Sequence, residues 1–342
     1  MTHMSTIRRA PQWPLGFTLI ELMVGLTLGL IVIAVATTAF VNVSSNRHDM
    51  QRTGRQIENG RFAVQLLADD IVNAGYFGEF DPRGVGPPAT KPDPCSANLA
   101  DMKSMVMMHV QGYASSAAKP SCISDVRSGT AAVAVRRVAT CVAGTTNCDA
   151  AVAGQIYFQA TLCNAELANV PISTQYAVDA QPSSSFSFHK HDCATAANVR
   201  AYVMHIYFIA NNNDSGDGIP TLKRAELGAN GQFSIVPLVE GIEDLQLEYG
   251  IDTNGDSMPD AASDDPGTFG GCAADPCYIT NWLNVMTVRL YLLSRSSEAT
   301  PGYTDTKTYA LGSRTDGPFN DGFKRHSYTG TIRMNNPAGR RE

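Results

Sequence analysis

From Leu22 to Phe40 every residue is apolar or small except Thr27, Thr37 and Thr38, a run long enough to cross a hydrocarbon core of roughly 30 Å as one helix. Glu21 stands at its start, and a carboxylate in lipid costs on the order of a few kcal/mol, so it requires a partner. Beyond the run, Met50, Ile57, Val64 and Ile71 recur at seven-residue intervals with Leu67 between them, while Arg47, Arg52, Arg55, Glu58 and Arg61 fall mostly elsewhere. That pattern predicts one amphipathic continuation of the same helix. No proline interrupts the chain from Phe17 to Asp81, and Gly75 and Gly78 supply the expected stop.

The pattern then changes period. Residues 79–198 read as loop-rich, with short strands expected at 131–138 and 155–162. From 199 onward the chain reads as antiparallel sheet, with strands over 203–210, 233–239, 245–251, 285–293 and 327–334. The sharpest alternation is Leu245, Leu247, Tyr249 and Ile251 against Gln246 and Glu248, and Met286, Val288, Leu290 and Leu292 against Thr287 and Arg289.

Composition adds compartment and partner class. The chain has 342 residues, a formal net charge of −6 and only 17% charged residues. An acidic chain is a poor match for nucleic acid. Cys95, Cys122, Cys141, Cys148, Cys163, Cys193, Cys272 and Cys277 all lie beyond the apolar run, and an even count behind an export segment reads as disulfides. Tight spacing favours Cys141 with Cys148 and Cys272 with Cys277, leaving Cys163 with Cys193 and Cys95 with Cys122 as the simplest solution. Structural zinc is the rival, but no pair has the two-residue spacing of a zinc ribbon or finger.

Gly16-Phe17-Thr18-Leu19-Ile20-Glu21, behind a short basic leader with Arg8 and Arg9, resembles the class III signal of type IV pilins and pseudopilins. The resemblance implies cleavage by a prepilin peptidase between Gly16 and Phe17, methylation of the new amino terminus, and pairing of Glu21 with the terminal amine of a neighbouring Phe17. An ordinary secretory signal ending near Ala34-Val35-Ala36, or a plain single-span anchor, leaves Glu21 unexplained. Gly25 and Gly29 form a small-xxx-small pair suited to close helix approach.

Blocks farther along resemble PilW-type minor pilins: Gln56 to Ala63, Asp69-Asp70-Ile71, Asn73 to Gly78, Ile242 to Asp252 and Val288 to Leu293. The implied fold is α+β and pilin-like. It comprises a leader (1–16), a transmembrane or filament-core half-helix (17–43), an amphipathic half packed on the head (44–78), a cysteine-containing loop region (79–198) and an antiparallel sheet (199–342). The implied function is a non-catalytic minor pilin that primes a type IV pilus and sits near its tip. Its implied partners are other minor pilins, the major pilin, the prepilin peptidase and a tip adhesin. The implied location is the inner membrane and then the pilus surface. A type II secretion pseudopilin and a membrane-anchored periplasmic hydrolase are the alternatives.

One further constellation carries chemistry. Asp252, Asn254 and Asp256 place oxygens at alternate positions around Gly255, with Asp260 four residues further on, as a calcium loop requires. Ser257 and Ser263 stand where an EF-hand would have Gly and Glu. Two readings therefore stay open, a weak calcium site and a solvated turn. His189-Lys190-His191-Asp192 beside Cys193 is expected to be an exposed loop. No cofactor other than calcium is expected.

Overall fold

The computed structural model describes residues 16–341, so the leader up to residue 15 lies outside the described residues. The chain divides into two compact units, residues 1–51 and 52–342.

The first unit contains most of the apolar part of helix α1 (Leu19–Ile71). Among the described residues α1 is the one helix long and apolar enough to cross a membrane, and none of its most apolar stretch is buried. Its start is fixed locally. The Thr18 backbone N–H donates to Glu21 Oε2 at 3.0 Å, the Thr18 hydroxyl donates to the same oxygen at 2.9 Å, and the Glu21 N–H donates to Thr18 Oγ1 at 3.3 Å. This reciprocal pattern is a capping box, which satisfies N–H groups that a helix start leaves without partners.

The second unit begins within α1. Here the buried residues are Gln56, Gly60, Ala63, Leu67, Asp70 and Ile71. Of the expected stripe, Leu67 and Ile71 are buried, Ile57 and Val64 are half-buried and Met50 is exposed, so the buried line is rotated from it over the earlier turns. Small residues explain the shift: a Cβ on Gly60 would stand 2.2 Å from the Tyr328 ring, so glycine lets the helix seat directly on the sheet. Gln56 Nε2 donates to Ser294 O at 3.1 Å, and the Tyr328 hydroxyl donates to Ile57 O at 3.3 Å. Gly75 and Gly78 end the segment in left-handed conformations, as expected.

The remaining elements are α2 (Leu99–Ser104), β1 (Val110–Tyr113), β2 (Ala132–Val138), β3 (Ile156–Ala160), α3 (Asn164–Leu167), β4 (Tyr176–Ala180), β5 (Arg200–Ala210) and β6 (Thr221–Leu227). They are followed by β7 (Phe233–Glu240), β8 (Ile242–Ile251), β9 (Ala261–Ser263), α4 (Cys277–Leu283), β10 (Val285–Arg295), β11 (Tyr309–Leu311), β12 (Arg314–Asp316), β13 (Arg325–Arg333) and α5 (Asn335–Gly339). All strand pairs are antiparallel. β1 to β7 form one seven-stranded sheet, β13-β10-β8-β9 a second, and β11-β12 a hairpin. The fold is α+β. Residues 79–198 are richer in structure than the sequence suggested, because four of their segments join the larger sheet through β5.

Ala63, Leu67 and Ile71 pack against Leu245, Leu247, Val288, Leu290 and Leu292, which face one side of β8 and β10 as the alternation required. A second cluster gathers Phe77, Phe80, Phe158, Tyr176 and Tyr202. The long excursion between β10 and β13 is held by a buried ionic knot. Arg325, 1% exposed in its side chain, bonds Glu243, Asp305 and Asp321, and Phe319 stacks on its guanidinium with a ring centroid at 3.7 Å. Arg127 and Arg295 also reach Glu243, at 3.0 and 3.7 Å, so three guanidiniums face three carboxylates and the buried charges stay paired. The four expected disulfides, Cys95–Cys122, Cys141–Cys148, Cys163–Cys193 and Cys272–Cys277, all form.

Candidate functional site

Assembly and processing were expected of Gly16, Phe17 and Glu21. Phe17 is 89% exposed, and Leu19 to Val43 carries a nearly continuous exposed apolar surface. Such a surface on an isolated chain requires lipid or other helices to cover it. A Cβ placed on Gly25 or Gly29 would meet no neighbouring atom within 4 Å, so backbone approach is open there. Glu21 has a local role that sequence reasoning missed, although Thr18-x-x-Glu21 is itself the capping-box signature. Capping leaves the carboxylate at the helix start, where a positive group could still reach it.

In the second unit the polar anchor is Asp70. It lies on the buried side of α1, and Arg137 Nε reaches Oδ1 at 2.6 Å while His205 Nδ1 lies 2.6 Å from Oδ2. The Tyr207 hydroxyl donates to Oδ2 at 2.7 Å, and Arg224 Nη1 donates to the Tyr207 hydroxyl at 3.3 Å. One carboxylate thus ties the helix to β2, β5 and β6. Burial works to raise the Asp70 carboxyl, but the bonds and charges of His205 and Arg137 outweigh it and hold the group far below the usual carboxylate range. Nothing in the spacing around Asp70 reveals partners 67 to 137 residues away.

The acidic loop leaving β8 is ordered by its own oxygens. Asp252 is 1% exposed; it accepts from the Gly255 and Ser257 N–H groups at 2.6 and 3.0 Å, and Arg341 Nη1 donates to it at 2.7 Å. Asn254 Nδ2 donates to Asp256 Oδ2 and Asp260 Oδ1, both at 3.2 Å. Thr253 donates to Asp260 Oδ2 from its backbone N–H at 2.8 Å and its hydroxyl at 2.9 Å. The four calcium candidates therefore share one turn, with Asp252 committed to a guanidinium from the C-terminus. No group of three or more His, Cys, Asp or Glu side chains able to hold a metal ion is gathered among the described residues. His189 lies half-exposed with Nδ1 2.6 Å from Glu166 Oε1, beside the Cys163–Cys193 bridge, while His191 is exposed.

The stretch that positions these groups, from mid-β5 through β13 into α5, carries a family signature. Residues 206–336 match the family model of Type IV Pilus-assembly protein W. The match includes β8, the acidic loop, β10 and the Arg325 knot. It stops short of α1 and residues 79–198. Among solved structures, a type IV-like pilin from Thermus thermophilus aligns over 83% of this chain and 97% of its own, at 12% identity and a TM-score of 0.36. No curated protein matches the chain.

Proposed function

We propose that this chain is a minor pilin, a structural subunit that primes assembly of a type IV pilus and is incorporated near its tip. The observation that carries the reading is the coincidence, in one chain, of Phe17 and Glu21 opening an exposed apolar helix with a PilW signature over the β-sheet. In this reading the prepilin peptidase cuts after Gly16. The Glu21 carboxylate then meets the Phe17 amine of an adjacent subunit, which removes both charges from the apolar surroundings. The same chemistry would serve a secretion pseudopilin, but the matched family is described for pilus assembly, which favours the pilus. Partners are accordingly other pilins, with the inner membrane as the starting location.

The test is Glu21→Gln, which removes the charge yet keeps an oxygen able to accept from Thr18. The variant is expected in the membrane at parental levels, with its amount in sheared pili reduced at least tenfold. Parental incorporation would remove Glu21 from the assembly contact.

A further inference from the structure

The outward face of β8 and β10 carries a cleft that pilus assembly does not account for. Its floor is Gln246, Glu248 and Tyr291, where Gln246 lies opposite Tyr291 and Glu248 opposite Arg289 in the strand register. Its walls come from the ends of β1, β2 and β9 and from the β11–β12 turn, and its volume is about 260 Å³. Gly312, with φ of 71°, brings that turn onto the floor, since a Cβ there would stand 2.9 Å from the Tyr291 ring.

Apart from the exposed Asp264, charge in the cleft is already matched inside the protein. The Tyr291 hydroxyl and Arg289 Nη1 both donate to Glu248 Oε2, at 3.1 and 3.2 Å, and Oε1 carries no bond among the described residues. Arg314 spends Nε on Asp316 and Nη1 on Gly129 O, and Nη2 carries none among the described residues. The site thus offers one carboxylate acceptor and one guanidinium donor that are each locally neutralised, with the hydroxyls of Ser115, Ser263 and Ser313 and the ring of Tyr291 on its lining. An anion would meet Glu248 and Asp264. A divalent cation would meet Arg314, and a purely apolar molecule would strand the polar lining unpaired. A neutral ring bearing vicinal hydroxyls, which both donate and accept, satisfies every group.

We propose that this cleft binds a single neutral sugar ring, with Glu248 accepting from one hydroxyl, Arg314 donating to a neighbour and Tyr291 lying against the apolar face. The volume lies below the roughly 300–1,000 Å³ of drug-sized sites, which sets the scale at one ring. Affinity is expected on the order of 1 mM. The proposal does not rest on the pilus reading, because it is measured on purified protein.

The experiment is saturation-transfer NMR on the full chain, held in a detergent without a sugar headgroup, with D-galactose, D-mannose and N-acetyl-D-glucosamine as probes. Transfer to the ring protons of at least one is expected. Glu248→Gln should weaken it about tenfold, as expected for a hydrogen bond to a charged group. Ala262→Trp, which fills the cleft from an exposed position on β9, should abolish it while leaving the melting temperature unchanged. No transfer to any of the three sugars would overturn the proposal, as would transfer unaffected by both substitutions.

Discussion

Asp244 is a buried carboxyl that shares a hydrogen bond with Asp316 and accepts from Gln246 Nε2 at 2.8 Å. Burial, and then the neighbouring Asp316, push it up to about 8, so the folded protein holds a proton that the unfolded chain releases near its ordinary 3.8. The folded state therefore binds more protons between about pH 4 and 8, and stability falls as pH rises through that window. Asp244→Asn should flatten this slope, with thermal melts at pH 5 and pH 8 differing less than in the parent. An unchanged difference would mean that Asp244 does not hold the proton in the folded state. Asp70 carries the opposite sign, because its depressed carboxyl contributes above its ordinary value and is lost as pH falls below it. Both residues fall in blocks that carry the family resemblance, but neither pairing announced itself in sequence. The pairing of Asp244 with Asp316, or of Asp70 with His205, is created by register and hairpin packing, which single-chain periodicity does not encode. Glu21 is the converse case: its capping partner lies three residues away, so the signature was present in the sequence although the role went unread.

At the scale of elements, the seating of α1 on β13 depends on one missing side chain. Gly60→Ala would normally favour a helix by about 1 kcal/mol, but the added carbon collides with Tyr328 and overpacking costs about 1–3 kcal/mol. Gly54→Ala, in the same helix with nothing within 4 Å, isolates the propensity term. Thermal melts of the full chain in detergent should place Gly60→Ala below the parent and Gly54→Ala at or above it. Equal shifts in one direction would show that contact with Tyr328 does not govern the helix. For the β8–β9 loop, we propose weak calcium binding through Asn254, Asp256 and Asp260, with Asp252 held in competition by Arg341. Affinity in the 10⁻⁴–10⁻³ M range of extracellular sites is expected. Millimolar calcium should raise the melting temperature, Arg341→Ala should enlarge the rise, and Asp256→Ala with Asp260→Ala should remove it. A flat response in all variants would make the loop a solvated turn.

For the whole molecule, the sequence carried most of the plan where periodicity was strong. The α1 start and stop, β8 and β10, and the four disulfide pairs all fall where spacing and alternation placed them. What it did not carry were β1, β4, β6, β9 and the β11–β12 hairpin. β1 is four residues long and wholly buried, and β6 carries Lys223, Arg224 and Glu226, so neither shows clean alternation. The cleft above Glu248 was invisible for a related reason, since it is assembled from segments far apart in the chain.

The central claim is that Gly16 and Phe17 mark a processed pilin terminus, and the mass of the mature N-terminal peptide tests it most directly. The protein recovered from sheared pili should begin at Phe17 with one added methyl group. An unmodified terminus downstream of Ala36, or an intact leader, would contradict the account.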